Sequence, residues 1–109
     1  MKRIASVIGI DPERIDDYKR LHAAVWPDVL AKIAECGIRN YSIFLREPEN
    51  LMFSYFEYHG SDFPADMARM AADAKTQEWW KVCGLCQAPL PTRAKGEWWA
   101  GMTEVFHAE

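Results

Sequence analysis

The order of apolar patterns along the chain predicts an α+β fold, with four antiparallel strands and helical regions inserted after the first and third. Three observations carry it. Four segments are strand-like in composition. The second and third are joined by only Glu47-Pro48-Glu49-Asn50. The stretches after the first and third repeat their apolar residues at helical spacing. At 109 residues the chain is expected to be one domain, residues 1–109, with a single thin core.

Lys2 to Ile10 reads as the first strand, with Ile4, Ile8 and Ile10 on one face and Ser6 between them. Asp11-Pro12 supplies an N-cap and a first helical position. Ile15, Tyr18, His22 and Val25 follow at helical spacing, and Pro27 should end or kink that helix near Trp26. Val29, Leu30 and Ile33 carry a second helical stretch that stops at Gly37. Ile38 to Leu45 and Leu51 to Tyr58 form the next two strands, and their short link makes them a hairpin. Ser61-Asp62 caps a helix bearing Phe63, Met67 and Met70, and helix restarts near Thr76 through Trp79, Trp80 and Val82. Pro89 and Pro91 place a loop over Ala88 to Gly96, and Trp98 to His107 alternates as a last strand. The resulting order, βαββαβ, is the ferredoxin-like arrangement of a four-stranded antiparallel sheet.

Helices cover one face of such a sheet. Here both faces carry apolar or aromatic residues: Leu51, Phe53 and Tyr55 on one, Met52, Phe56 and Tyr58 on the other. A bare aromatic face predicts a partner, and the simplest is a second copy packed sheet to sheet as a homodimer.

Composition excludes several functions. The net charge is −3, and the 13 basic and 16 acidic residues are dispersed, so no basic stripe tracks a nucleic acid. No apolar run reaches the ~20 residues of a membrane span. The basic-then-apolar start, Met1 to Ile8, is too short for a secretory leader and reads as a strand. Three cysteines, an odd number, suit a reduced, cytoplasmic protein better than a disulfide framework. The 14 aromatic residues exceed what so small a core needs, so some should line a pocket or an interface.

Candidate chemistry centres on Tyr18 and His22. Four residues apart on a helix, a phenol and an imidazole share one face, and Trp26 would follow one turn later. Imidazole titrates near neutrality and so both gives and takes protons at working pH. Polar tips on an otherwise apolar stripe need partners. Trp79-Trp80 presents flat surfaces of the kind that receive sugar rings; adjacent helix positions lie about 100° apart, so two different surfaces must cover them. Tyr41 follows Asn40 inside an apolar strand, as either a packing aromatic or a site hydroxyl. Trp98-Trp99 straddle the two faces of a strand and read as packing. Cys83-Gly84-Leu85-Cys86 has redox or zinc spacing. It lies at the end of a helix rather than at its start, with no second pair, and neither role is expected of it. Together these features point to a small pocket that moves protons on a polyol.

The chain also resembles the L-rhamnose mutarotase family, small cytosolic proteins that interconvert the α and β anomers of L-rhamnose. The resemblance covers nearly the whole chain. It rests on Tyr18-Lys19-Arg20-Leu21-His22 with Val25-Trp26-Pro27, on Asn40-Tyr41-Ser42-Ile43, on Trp79-Trp80-Lys81 and on Glu104-Val105-Phe106-His107. It implies a dimeric α+β barrel, an isomerase acting on a free monosaccharide, and no metal or organic cofactor. It further implies that His22 is the proton donor and that Tyr18, Tyr41, Trp79 and Trp80 hold the sugar. The acceptor of the anomeric proton would be a water or a carboxylate such as Glu104.

Two departures stand out. The family's Asn-Pro-Asp-Asn-Ser-Pro-like loop is replaced by Cys86-Gln87-Ala88-Pro89-Leu90-Pro91-Thr92-Arg93, without the acidic residue, and Tyr58 to Ala74 is altered and longer. Both leave L-fucose open as the sugar. Because dimeric α+β barrels host other functions, a cofactor-free or haem-degrading monooxygenase and a non-catalytic sugar sensor are the readings of other classes.

Overall fold

The computed structural model describes residues 1–109. Its elements run β1 (Lys2–Ile10), a 3-10 turn (Pro12–Arg14), α1 (Ile15–His22), α2 (Pro27–Glu35), β2 (Ile38–Arg46), β3 (Leu51–Tyr58), α3 (Phe63–Ala72), α4 (Ala74–Gly84), β4 (Gln87–Ala88) and β5 (Ala100–Gly101). The sheet order is β2-β3-β1-β4, with β5 also paired to β1 and every pairing antiparallel. This is the predicted α+β, ferredoxin-like arrangement, curled into a half-barrel.

The caps fall where the side chains allow. Asp11 accepts from the Glu13 amide at 3.0 Å, Asp62 accepts from the Ala65 amide at 3.2 Å, and Asp73 accepts from the amide and hydroxyl of Thr76 at 3.0 and 2.9 Å. Asp73 thereby starts α4 two residues earlier than Thr76, the predicted restart. Gly37 leaves α2 with φ +85°, a left-handed turn that a Cβ would strain.

On β1 and β3 the alternation is simple. Ile4, Ser6 and Ile8 lie opposite Phe56, Ser54 and Met52 on the helix-facing side. The Ser6 and Ser54 hydroxyls bond each other at 2.6 Å, which satisfies the polar pair within that layer. On β2 the alternation breaks. Between Arg39 and Ser42 the register shifts by one residue, and Asn40 takes φ +51°. This β-bulge changes the phase, so that Ile38 before it and Tyr41, Ile43 and Leu45 after it all face the helices.

Two expectations need correction. α1 ends at His22, and Trp26 instead precedes Pro27 at the start of α2. Trp26 therefore does not extend the Tyr18–His22 stripe; it reaches the same region from a second helix. The last strand is also far shorter than Trp98 to His107. Only Ala100 and Gly101 pair with β1, followed by one more bond from the Met102 amide to the Ala5 carbonyl at 3.0 Å. The tail beyond is exposed, with Val105 at 93% and Phe106 at 81% exposure, because no neighbouring strand receives it.

The core joins Ile8, Ile10, Met52 and Val29 to Ile15, Tyr18, Trp79, Cys83 and Cys86. All three cysteines are free and buried. No helix is long and apolar enough to cross a membrane.

At Gly9, β4 comes so close that a Cβ there would sit 2.5 Å from the Ala88 carbonyl oxygen. Backbone cannot yield as a flexible side chain does. Gly9→Ala should therefore cost about 1–3 kcal/mol, the usual penalty of an overpacked site, read as a lower urea midpoint. An unchanged midpoint would refute the tight approach.

Candidate functional site

Between the helix-facing side of the sheet and the four helices lies a cavity of about 670 Å³. That is within the range of about 300–1,000 Å³ typical of small-molecule sites. Of its 21 lining residues 18 are hydrophobic; the others are Lys19, His22 and Thr76. His22 is thus the cavity's one imidazole, and no carboxylate lines it.

The five residues singled out from sequence, Tyr18, His22, Tyr41, Trp79 and Trp80, all line this cavity. Each is placed by a separate local cause. Tyr18 and His22 come from one turn of α1, their rings stacked with centroids 4.1 Å apart and planes 22° from parallel. The β2 bulge turns Tyr41 inward, where its ring packs on Phe56 at 5.4 Å. Trp79 is 6% exposed and wedged edge-on between His22 and Trp26, each 5.2 Å away. Trp80, about 100° further round α4, keeps 44% exposure at the cavity's edge. So the two indoles divide the work that their spacing required: one is core and wall together, the other is wall and surface.

His22 Nδ1 lies 3.0 Å from the Tyr18 carbonyl oxygen. A carbonyl only accepts, so Nδ1 carries the hydrogen and donates it, and the neutral ring's Nε2 is left as the acceptor. Burial lowers the pKa of His22 below its ordinary 6.5, partly opposed by that backbone bond. At neutral pH the imidazole is therefore mostly uncharged. Both phenols remain protonated. Burial raises Tyr18, against a lowering bond from Gln87. Burial of its hydroxyl likewise pushes Tyr41 up to about 12.

Sequence reasoning missed two features. Trp99, read as packing, also lines the cavity from the bend just before the short strand Ala100–Gly101. Gln87 donates through Nε2 to the Tyr18 hydroxyl at 3.3 Å. Glu104, considered as a proton acceptor, is not at the cavity. It pairs with Arg3 on the exposed tail, Nε to Oε1 2.6 Å. Cys83 sits in the core with its thiol pushed up to about 12 by burial, the opposite of a reactive thiolate. No group of three or more His, Cys, Asp or Glu side chains is placed to hold a metal.

Comparison with known proteins is consistent across sequence and structure. A family model described as L-rhamnose mutarotase matches residues 3–108. The L-rhamnose mutarotase of Oceanobacillus iheyensis is 33% identical over the full length of both chains. That of Pectobacterium carotovorum is 38% identical over 74% of this chain and 75% of its own. Among solved structures, an L-rhamnose mutarotase from Formosa agariphila superposes over the whole of both chains with a TM-score of 0.79 at 21% identity. Tetracenomycin F2 cyclase from Streptomyces glaucescens does so with 0.71 at 17% identity, a likeness of fold alone.

Because the unfolded chain binds a proton on His22 at higher pH than the folded one, stability held above pH 6.5 should fall as pH drops through that value toward the lower folded pKa. An NMR titration should place the His22 midpoint below 6.5. A midpoint at or above it would show that the cavity does not shield the ring.

Proposed function

The chain belongs to the L-rhamnose mutarotase family, and we propose that it interconverts the α and β anomers of L-rhamnose, with His22 carrying the proton. The observation that supports this most is the neutral imidazole. It is held at Nδ1 by the Tyr18 carbonyl, with Nε2 free, in a cavity lined mostly by apolar and aromatic groups, with Lys19 and Thr76 the other polar members.

Ring opening needs a proton removed from the anomeric hydroxyl and one delivered to the ring oxygen as the C1–O5 bond breaks. Nε2 takes the first, and the imidazolium so formed donates to the ring oxygen. The two oxygens share C1, so one nitrogen serves both. After rotation about C1–C2, the free hydroxyl attacks the other carbonyl face. Nε2 then takes that hydroxyl's proton and gives one to the new anomeric oxygen. No proton, electron or atom is gained or lost over the cycle. Tyr18 and Tyr41 hydrogen-bond sugar hydroxyls, while Trp79 and Trp80 lie against the C–H face and the 6-methyl group. Lowering of the imidazole pKa by burial keeps the starting base unprotonated and makes the imidazolium a stronger acid in the return step.

The same reading includes a cytoplasmic homodimer. Its support is the sheet face turned away from the helices, where Val7, Phe53 and Phe44 lie in register and Phe44 is 65% exposed. The free, buried cysteines accord with a reducing compartment.

His22→Asn should fold, as judged by circular dichroism, and slow anomer exchange of L-rhamnose by about 10²- to 10⁴-fold in saturation-transfer NMR. A folded variant at the wild-type rate would remove His22 from the mechanism. Faster wild-type exchange on L-fucose than on L-rhamnose would reassign the sugar. Phe44→Glu should sediment as a monomer at concentrations where the wild type is dimeric; a variant that still dimerises would refute this interface.

A further inference from the structure

Gln87 does not line the cavity, yet it is bound to a residue that does. β4 pairs it with Ile10, whose side chain faces the helices, so Gln87 faces the same way. Its Oε1 receives the Trp98 indole N–H at 2.7 Å, and its Nε2 lies 3.3 Å from the Tyr18 hydroxyl. An amide can be turned either way, but an indole N–H only donates. The amide oxygen must therefore face Trp98, and the amide nitrogen must face Tyr18. It follows that the Tyr18 oxygen is an acceptor toward Gln87 and that its one hydrogen is not spent there. No other protein group bonds that hydroxyl, so the hydrogen is left to point into the cavity that Tyr18 lines.

We propose that Gln87, oriented by Trp98, is a positioning residue that commits the Tyr18 hydroxyl to donate to an oxygen of the bound sugar. This rests on Tyr18 being a sugar-binding group. The geometry depends on Gly9, which admits β4 at close range. Trp98 is held in turn by its loop, where Glu97 accepts from the amides of Ala94 and Gly101 at 2.9 and 3.1 Å.

The discriminating variant is Gln87→Glu. A carboxylate has the same shape and still accepts from Trp98, but it only accepts, so it claims the Tyr18 proton. Gln87→Met fills similar space and claims nothing. Gln87→Glu should lower kcat/KM for anomer exchange by about tenfold or more, the effect of one lost hydrogen bond to substrate, and Gln87→Met by distinctly less. In a Tyr18→Phe background the Gln87→Glu change should have no further effect. Gln87→Glu at the wild-type rate, Gln87→Met as slow as Gln87→Glu, or a full effect persisting without the Tyr18 hydroxyl would each overturn the proposal. A second readout needs no sugar. The Trp98 indole N–H resonance should persist, shifted, in Gln87→Glu and move to a solvent-exposed position in Gln87→Met. An identical resonance in all three proteins would show that the bond does not exist. A wild type that fails to exchange L-rhamnose anomers while this resonance responds would refute the proposed activity and support the Gln87 orientation by itself.

Discussion

One hydrogen bond inside a single helical turn governs the site: Nδ1 of His22 donating to the Tyr18 carbonyl. It fixes the tautomer, the ring plane and the nitrogen that remains available. It also explains why Tyr18 and His22 stack rather than point apart, since a ring tied back along its own helix lies over the residue one turn earlier. Trp79 then closes on the other side of the imidazole. The ring is gripped by backbone, phenol and indole, so it is presented in one geometry with little rotamer entropy left to lose on binding. Desolvation by the same neighbours lowers its pKa. Orientation and protonation state thus have a common origin in how this short helix packs.

Around that grip the cavity is mostly apolar, which suits a sugar only because a monosaccharide is itself two-sided. Its ring C–H face and its 6-methyl group match indole and aliphatic walls, while its hydroxyls need few, well-placed partners. Here those partners are two phenols, an imidazole and the Lys19 ammonium, the Thr76 hydroxyl being already bonded to Asp73. Few polar groups also means that each must be committed in advance, because an unpartnered buried donor or acceptor is costly. No buried side-chain polar atom is left without a partner. The Trp98–Gln87–Tyr18 chain and the Tyr18–His22 bond are two instances of this economy, and they converge on the same residue from opposite sides.

Much of this was legible in the sequence because it rests on two short periods. The i, i+4 spacing of Tyr18 and His22 and the alternation of β1 and β3 need no tertiary information. Helix ends marked by Asp62 and Gly37 are equally local. What escaped depends on contacts distant in sequence. Trp26 looked continuous with the Tyr18–His22 stripe, yet the turn after His22 ends the helix before it. The residues after Gly101 alternate like a strand, yet past the Met102 amide the tail meets β1 through the Arg3–Glu104 side-chain pair rather than a backbone ladder. Gln87 carries no local signal at all, since its role arises from the register that sets it opposite Ile10. The bulge at Asn40 lies between these cases. The apolar phase changes from Ile38 to Tyr41, Ile43 and Leu45, which is visible in the sequence once a left-handed Asn is allowed for.

The period-two rule also separates the two demands placed on the sheet. Met52, Ser54 and Phe56 on β3 face the helices, while Leu51, Phe53 and Tyr55 between them face the opposite way. A substitution at one set alters the core and the cavity wall; a substitution at the other alters only the face left for a partner. The two sets are covalently interleaved, so neither face can slip in register without exchanging the roles of both. The bulge on β2 is tolerated because it shifts phase once, at the start of the strand, and leaves Ser42 to Arg46 locked to Tyr55 to Leu51. A cavity that must hold one imidazole in one geometry therefore sits on a sheet whose pairing fixes both of its surfaces together.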